Sequence, residues 1–380
     1  MFFYLPYLIL TGEPLYGGML LGVTCAAFGI VSFWFVYTVA KRYYDNVSLG
    51  LYLLVTAVLL MSSQMLYGLQ NRAIYSVPII LCMLFNLFGV TCWLNASKNG
   101  KLNKGYLLIG AISIALTIGT RPAHAIVVLL AFPIFWTEIK EKKFFSRKGF
   151  ANTLVVMVPF FVVGFGVMYY NFIRFGNVLD FGDEYMLNSY DMTHRGFILQ
   201  RLWLGIFEYF FQPLSITPKF PYISAIAVWA DMPTDYLGQI INEPFLGGYF
   251  ALNSVGVFLV ALATHKQDMK NKKVWSLALG GMLIGILIVM LGIQRVGFTL
   301  RYMSDFSLYI SMSLVFCLFV VLEKGIRNSS DRLIWCAFVA LAVSCVVVNV
   351  WALFADGRFG NLREAAPGVF YALKYMGFPR

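Results

Sequence analysis

Hydrophobic residues along the chain fall into runs of about 20, separated by short polar segments, over nearly the whole length. A helix of about 20 apolar residues crosses the roughly 30 Å of bilayer hydrocarbon. The runs are continuous rather than alternating, which favours helices over the strands of a membrane β-barrel. The pattern predicts an all-α, polytopic transmembrane helix bundle of about ten spans, at 17–40, 48–67, 75–95, 105–120, 122–136, 150–173, 244–264, 274–293, 304–322 and 333–354.

The longest interval between predicted spans is a loop over 174–243. Within it, segment 196–214 has Arg201 and Glu208 away from an apolar helical face, which is formed by Ile198, Leu202, Ile206, Tyr209 and Phe210. This spacing predicts an amphipathic helix that lies in the membrane interface and does not cross it. A loop of this length, punctuated by prolines, is more than a connection requires and often carries function.

Composition agrees with a membrane protein, since 60% of the residues are hydrophobic and 12% are charged. Soluble domains have a charged fraction of about 25%, so a soluble globular domain is excluded. The chain is interpreted as one integral-membrane domain over 1–380, with the loop 174–243 and a tail 355–380 on its outer side.

Charge sets the predicted orientation. The net charge is +11, and more than half of the 29 Lys and Arg residues lie in alternate short loops, which are therefore predicted to be cytoplasmic. Because the basic residues are dispersed in these loops, they indicate topology and no nucleic-acid partner. The six cysteines all fall inside apolar runs and are interpreted as core thiols, and the three scattered histidines predict no metal site.

A carboxylate cluster follows the span 150–173. Asp180, Asp183 and Glu184 stand shortly after Arg174, with His194 further along the same loop. Charged groups near hydrocarbon are costly and persist where they face water, a partner or a substrate. Two interpretations stay open, a catalytic cluster and a solvated loop end.

A second polar segment precedes the span 304–322 and contains Arg295, Arg301 and Asp305. Arg301 and Asp305 are four residues apart, so they are expected to pair on one helical face. A guanidinium donates two parallel hydrogen bonds to a phosphate, which makes Arg301 and Arg295 candidate phosphate ligands. The alternative is an arginine that extends to the interface beside a local carboxylate.

A third polar segment separates the short spans 105–120 and 122–136. Arg121 is predicted on the outer side, against the general trend for basic residues, and His124 lies one turn further on. Arg121 is either a phosphate ligand or an anchor to lipid headgroups, and His124 is most simply a core histidine with a hydrogen-bond partner.

Three motifs resemble multi-pass bacterial members of the GT-C glycosyltransferase superfamily. They are NFIRFGNVLDFGDEY after a span, the tripeptide Thr-Arg-Pro (120–122) at the end of a short helix, and RYMSDF at the start of a late span. This group includes protein mannosyltransferases and lipid A aminoarabinose transferases. The resemblance implies an enzyme of a bacterial-type plasma membrane that transfers a sugar from a polyprenyl-phosphate donor to an acceptor at the outer face. Its catalytic carboxylate normally lies in a first outer loop, which would precede Met1, so a truncated or inactive chain is one expectation.

The resemblance assigns roles to the candidate residues. Asp180, Asp183 and Glu184 are the expected catalytic carboxylates, Arg121, Arg295 and Arg301 the expected donor-phosphate ligands, and Arg174, Asp305 and His194 the supporting groups. We expect the three segments to converge on one cavity. Membrane lipids are expected partners, no cofactor is assigned, and a divalent cation is left open. The alternatives are a transporter or flippase of a lipid-linked precursor, which needs polar groups through the middle of the bilayer, and an inert scaffold.

Overall fold

The computed structural model describes residues 4–70, 76–98, 100–182, 185, 196–228, 241–355, 363 and 366–377. Within these ranges the α-helices are α1 Tyr4–Thr11, α2 Gly17–Tyr43, α3 Leu49–Ser62, α4 Met65–Gln70, α5 Ser76–Ala96, α6 Lys104–Thr120, α7 Ala131–Ile134, α8 Trp136–Lys140, α9 Phe150–Phe175, α10 Leu199–Ile206, α11 Tyr249–Leu252, α12 Ala261–Thr264, α13 Lys266–Asn271, α14 Trp275–Arg295, α15 Tyr302–Leu322, α16 Ser329–Ala352 and α17 Pro367–Gly377. Two 3₁₀ helices, Pro122–Leu130 and Ser254–Val260, and one π-helical turn, Phe207–Phe211, extend α7, α12 and α10.

Strands are few and short in the described part of the chain. Three two-stranded ladders pair β1 Ser97–Lys98 with β2 Lys101–Leu102, β3 Ser215–Ile216 with β4 Ile223–Ser224, and β5 Ile241–Asn242 with β6 Gly297–Phe298. The first two pairs are antiparallel, whereas β5 and β6 are parallel. The β5–β6 pair fastens the end of the long loop to the segment that leads into α15.

The prediction of an all-α membrane bundle is confirmed. Each of the ten predicted spans contains helix, although 244–248 is not helical, and in the described part of the chain six helices are long and apolar enough to cross a membrane, namely α2, α5, α9, α14, α15 and α16. The other four apolar segments are shorter, Leu49–Ser62, Lys104–Thr120, Pro122–Ile134 and Ser254–Thr264. The number of spans therefore stays a prediction.

Helix α15 is the centre of the bundle, because nearly all of its side chains are buried. It packs against α14, α3, α5 and the 3₁₀ helix Ser254–Val260. Helix α9 is the opposite case, since most of its apolar side chains are exposed and it contacts mainly α6. Exposed Phe and Val side chains on a long apolar helix are what a lipid-facing span requires.

Helices α5 and α6 cross at two glycines, Gly89 and Gly110. A Cβ atom at Gly110 would lie 2.9 Å from the carbonyl oxygen of Gly89, and one at Gly89 would lie 2.9 Å from that of Gly110. Small residues at a membrane helix crossing allow backbones to approach closely. Here the approach also brings Trp93 into contact with α6, where its indole N–H donates to the carbonyl of Leu107 at 3.2 Å.

The loops predicted to be cytoplasmic are gathered at one end of the bundle, which we call the basic end. Arg42 donates to the carbonyl oxygen of Ser97 at 2.8 Å, and Lys272 lies 3.0 Å from the Glu323 carboxylate. Lys143 donates to Gly100 O at 2.6 Å. These contacts involve all five loops predicted to be cytoplasmic, as alternation of the spans requires. The five loops are the ones that carry Arg42, Lys98, Lys143, Lys272 and Lys324. We call the opposite end the site end.

Segment 196–214 is helical over 199–211, but its charges face inward. Arg201 and Glu208 are fully buried, whereas the large apolar residues of every fourth position, Leu199, Trp203, Phe207 and Phe211, are exposed. The predicted placement of the two charges is wrong. The four exposed side chains form a stripe suited to lipid contact, so the polar groups turn toward the protein.

Five of the six cysteines are buried, and none forms a disulfide. Cys336 is exposed on α16, which corrects the prediction that all six are core thiols. Helix α16 presents much of its surface outward, so a position inside an apolar run can face lipid as easily as the core.

Candidate functional site

The candidate site begins where α6 ends. Arg121 is the C-cap of α6, with φ −148° and ψ 87°, and Pro122 begins the next 3₁₀ helix. Proline disfavours helical geometry in the residue before it, so the Arg-Pro sequence itself breaks the helix at this point. The break leaves the Arg121 side chain free to turn toward the bundle instead of following the α6 surface.

Arg121 reaches Asp305 in the first turn of α15. Its Nη1 lies 3.3 Å from Oδ2 of Asp305, and the side chains are 22% and 6% exposed. A carboxylate in the first turn of a helix is favoured by the helix dipole, and the guanidinium supplies the opposite charge. The guanidinium also lies 5.2 Å from the centre of the Tyr302 ring, a cation–π distance.

His124 continues this contact into the core. Its Nδ1 lies 2.7 Å from the hydroxyl oxygen of Tyr309, and its Nε2 lies 3.6 Å from Oδ1 of Asp305. Asn86 of α5 donates its amide hydrogen to the same Tyr309 oxygen at 2.8 Å. Tyr309 therefore accepts from Asn86 and shares a hydrogen bond with Nδ1 of His124, while Nε2 on the other side of the ring faces Asp305.

A cavity of about 500 Å³ opens beside the Arg121–Asp305 pair. One wall is the apolar face of α14, which ends at Arg295, and the others carry polar and aromatic side chains, including His124, Tyr302 and Tyr209. An apolar cavity with a few convergent polar groups is the usual form of a small-molecule site. The cavity lies at the site end, opposite the basic loops.

The predicted phosphate ligands divide into two groups. Arg121 and Arg295 both line the cavity, although they are far apart in the sequence. Arg301 is not among the lining residues, and its guanidinium lies over the Tyr302 ring at 5.4 Å. The expected ion pair of Arg301 with Asp305 is wrong, because Asp305 pairs with Arg121 instead. The observed ion pair joins the end of α6 to α15, whereas the predicted pair lay within one helix.

Asp180 does not line the cavity. Its Oδ1 accepts a hydrogen bond from the backbone N–H of Gly182 at 2.7 Å, a local turn contact. The neighbouring Phe181 does line the cavity, so the loop after α9 reaches the site through this ring. Asp183, Glu184 and His194 lie outside the described residues. Arg174 stacks on Phe175 at 5.0 Å, and its Nη1 donates to the Tyr170 hydroxyl, so it is not a lining residue either.

Two buried residues near the site were not singled out in the sequence: Tyr309 contacts His124 of the cavity lining, whereas Glu243 does not line the cavity. Tyr309 follows Asp305 by four positions, a spacing that places both on one face of α15, so this signal was available. Glu243 is buried and its Oε2 accepts from the Leu300 backbone N–H at 3.0 Å. Its position depends on the pairing of β5 with β6, which local sequence does not reveal.

The π-helical turn Phe207–Phe211 contains a buried carboxylate, that of Glu208, next to Tyr209 in the sequence. Neither oxygen of Glu208 has a hydrogen-bond partner among the described residues. Burial raises the pKa of Glu208 to about 8, because the site disfavours the charged form. Tyr209 itself is fixed: Thr299 N–H donates to its hydroxyl oxygen at 3.0 Å, and the hydroxyl donates to Thr299 O at 3.1 Å.

Within the described ranges, no group of three or more His, Cys, Asp and Glu side chains is arranged to hold a metal ion. Comparisons with family models, with curated proteins and with solved structures found nothing that matches the chain.

Proposed function

We propose that this multi-pass membrane protein is a GT-C-type glycosyltransferase that takes a sugar from a polyprenyl-phosphate donor at the outer face of a bacterial-type plasma membrane. The observation that carries the proposal is the convergence of Arg121, Arg295 and Asp305 on one cavity at the site end. A lipid-linked phosphate needs fixed cations beside an apolar wall, and local sequence alone cannot supply both.

The cations hold the departing phosphate. When the bond from the sugar C1 to the phosphate oxygen breaks, negative charge collects on the phosphate, and Arg121 and Arg295 are placed to donate hydrogen bonds to it. Before the donor binds, the ion pair with Asp305 holds the Arg121 guanidinium at the cavity. The apolar face of α14 provides a surface for the first isoprene units.

Asp305 is also the carboxylate of the described cavity lining. A carboxylate near the acceptor accepts the hydroxyl proton as the new C1–O bond forms. His124 lies beside this carboxylate, with its Nε2 3.6 Å from Oδ1 of Asp305. Asp183 and Glu184 keep their predicted catalytic roles as part of the proposal.

The distribution of buried polar groups favours a transferase over a transporter or flippase. The side-chain hydrogen bonds of α15 involve Ser304, Tyr309, Ser311 and Ser313, whereas the segment 314–322 consists of apolar residues. A polar path through the bundle would require such groups in both halves.

The test is binding of polyprenyl phosphate to the full chain purified in a neutral detergent. We expect binding of the phosphate but not of the uncharged polyprenol. Arg121→Gln and Arg295→Gln should each weaken binding about tenfold or more, since each removes a charge-assisted hydrogen bond. Arg121→Lys should keep part of the affinity, because the charge survives but the two-pronged geometry does not.

The matched control is Arg174→Gln, which removes an arginine from the same side of the bundle but not from the cavity. It should bind as the wild type does. Equal binding of polyprenol and polyprenyl phosphate, or equal losses in Arg174→Gln and Arg295→Gln, would show that the cavity has no phosphate site.

A further inference from the structure

The basic end carries a second cavity, of about 900 Å³, which is separate from the candidate site. Its walls come from the end of α2, from α8 and from the turn between α13 and α14. Five basic side chains line it, Arg42, Lys140, Lys270, Lys272 and Lys273. These residues belong to three different loops that the fold brings together.

Two of the five basic residues hold the walls in place. Arg42 donates to the carbonyl oxygens of Leu94 and Ser97, and Lys272 donates to Tyr43 O at 3.2 Å and pairs with Glu323 at 3.0 Å. Their hydrogen bonds are directed to protein groups. They make the cavity a fixed structure rather than a chance gap between loops.

The other three, Lys140, Lys270 and Lys273, have no carboxylate partner in the part of the chain that the structure describes. The two carboxylates of the lining are already engaged. Glu138 accepts a hydrogen bond from the Ser97 hydroxyl, and Glu141 pairs with Lys143. The cavity therefore presents an excess of positive charge to any ligand.

Two tryptophans give the cavity a membrane-facing side. Lys140 Nζ lies 5.1 Å from the Trp136 ring centre, and Lys270 Nζ lies 5.3 Å from that of Trp275. Trp136 is 55% exposed. Trp beside Lys is typical of the headgroup level of a bilayer, where the ring contacts the acyl boundary and the amine contacts phosphate.

We propose that this cavity binds the phosphate of an anionic phospholipid headgroup from the leaflet at the basic end. Lysine ammonium groups bind phosphate as point charges, and basic pockets between membrane helices on the cytoplasmic side suit such headgroups. The volume lies within the range of small-molecule sites. This site does not depend on the proposed sugar transfer.

The experiment measures lipid affinity of the full chain in a neutral detergent by titration, with thermal stabilisation as the readout. The probes are a short-chain phosphatidylglycerol, the matching phosphatidylcholine and inorganic phosphate. We expect phosphatidylglycerol to stabilise the protein more than phosphatidylcholine does. The substitutions K140Q/K270Q/K273Q should lower the affinity of the protein for phosphatidylglycerol about tenfold or more.

The control K104Q/K148Q/K324Q removes the same number of charges from exposed positions in the predicted cytoplasmic loops, outside the cavity. It should keep wild-type affinity. Equal losses in the two triple variants, or equal binding of both lipids, would overturn the proposal. If the first triple variant fails to fold, K270Q and K273Q are tested singly, and wild-type affinity in both would overturn it as well.

Inorganic phosphate separates the two sources of the anion. Phosphatidylglycerol binding that millimolar phosphate does not match identifies the lipid as the ligand. Stabilisation by phosphate alone, equal to that of the lipid and lost in K140Q/K270Q/K273Q, overturns the lipid source and assigns the site to free phosphate.

Discussion

The hydroxyl of Tyr309 lies between His124 and Asn86, 2.7 Å from the histidine Nδ1 and 2.8 Å from the asparagine amide nitrogen. One oxygen thus joins α5, α15 and the 3₁₀ helix that begins at Pro122. It also fixes the position of the imidazole, whose Nε2 faces Asp305. A buried bridge of this kind makes the orientation of His124 depend on a residue that does not line the cavity.

Tyr309→Phe removes this bridge and leaves His124 and Asn86 without their partner. We expect a loss of about 1–3 kcal/mol in the free energy of unfolding, the cost of buried unpaired polar groups. Thermal unfolding in detergent measures the loss. Tyr52→Phe is the control, because its hydroxyl donates to Phe33 O at the bundle exterior. Equal effects of the two substitutions would contradict a special role for Tyr309.

Gly110→Ala should destabilise the α5–α6 crossing. The added methyl group would lie 2.4 Å from Cδ1 of Trp93 and 2.9 Å from Gly89 O, and a backbone oxygen cannot move unless the helices separate. We expect a loss of about 1–3 kcal/mol from overpacking, again measured by thermal unfolding. Gly164→Ala, on exposed α9 with no atom within 4 Å, should be neutral or stabilising. A neutral Gly110→Ala would show that the helices can separate freely.

Glu208 should make stability depend on pH. Its pKa is about 8 in the folded state against the ordinary 4.5, so the folded state favours the protonated form. Its contribution is complete below about pH 4.5 and is lost as the pH rises toward 8, by at most about 1.4 kcal/mol per pH unit. Glu208→Gln should remove this part of the decline, whereas Glu141→Gln at the basic end should not. Melting temperatures from pH 5 to 9 test it, and parallel curves for wild type and Glu208→Gln would refute it.

The predicted orientation can be tested by cysteine labelling in intact cells, in a Cys336→Ala background because Cys336 is exposed. Leu179→Cys, at the site end, should react with a membrane-impermeant maleimide. Ser146→Cys, in the basic loops, should react only after permeabilisation. The reverse pattern would place the candidate cavity on the cytoplasmic side and exclude an outer-face reaction.

Helix positions were predictable from the sequence because continuous apolar runs have few other stable arrangements in a bilayer. The burial of Arg201 and Glu208 was not predictable, because the usual rule for an amphipathic helix is that its charged residues face away from the protein core. In α10 and the π-helical turn that extends it, the exposed side carries Leu199, Trp203, Phe207 and Phe211, so the rule is inverted. Hydropathy alone cannot tell a surface that meets lipid from one that meets protein.

For the site, the individual residues were easier to predict than their partners. Arg121 and Asp305 were both recognised, yet Asp305 was assigned to Arg301, four residues away, because only local spacing is visible in one sequence. Its actual partner is 3.3 Å away in space and on another helix. Tyr309 was overlooked because a tyrosine in an apolar run is usually ordinary core.

Because α15 is almost completely buried, its side chains contact other helices and not lipid. A span normally dissolves in hydrocarbon, and polar atoms on it are tolerated only at a cost. On α15, Ser304 donates to Gln64 O and Ser311 bonds with Ser62 and Tyr249, so other helices supply the partners that lipid lacks. Insertion of this helix into a bilayer by itself would leave Asp305 and these hydroxyl groups without those partners. We therefore expect α15 to be stable in the membrane only once the other helices surround it.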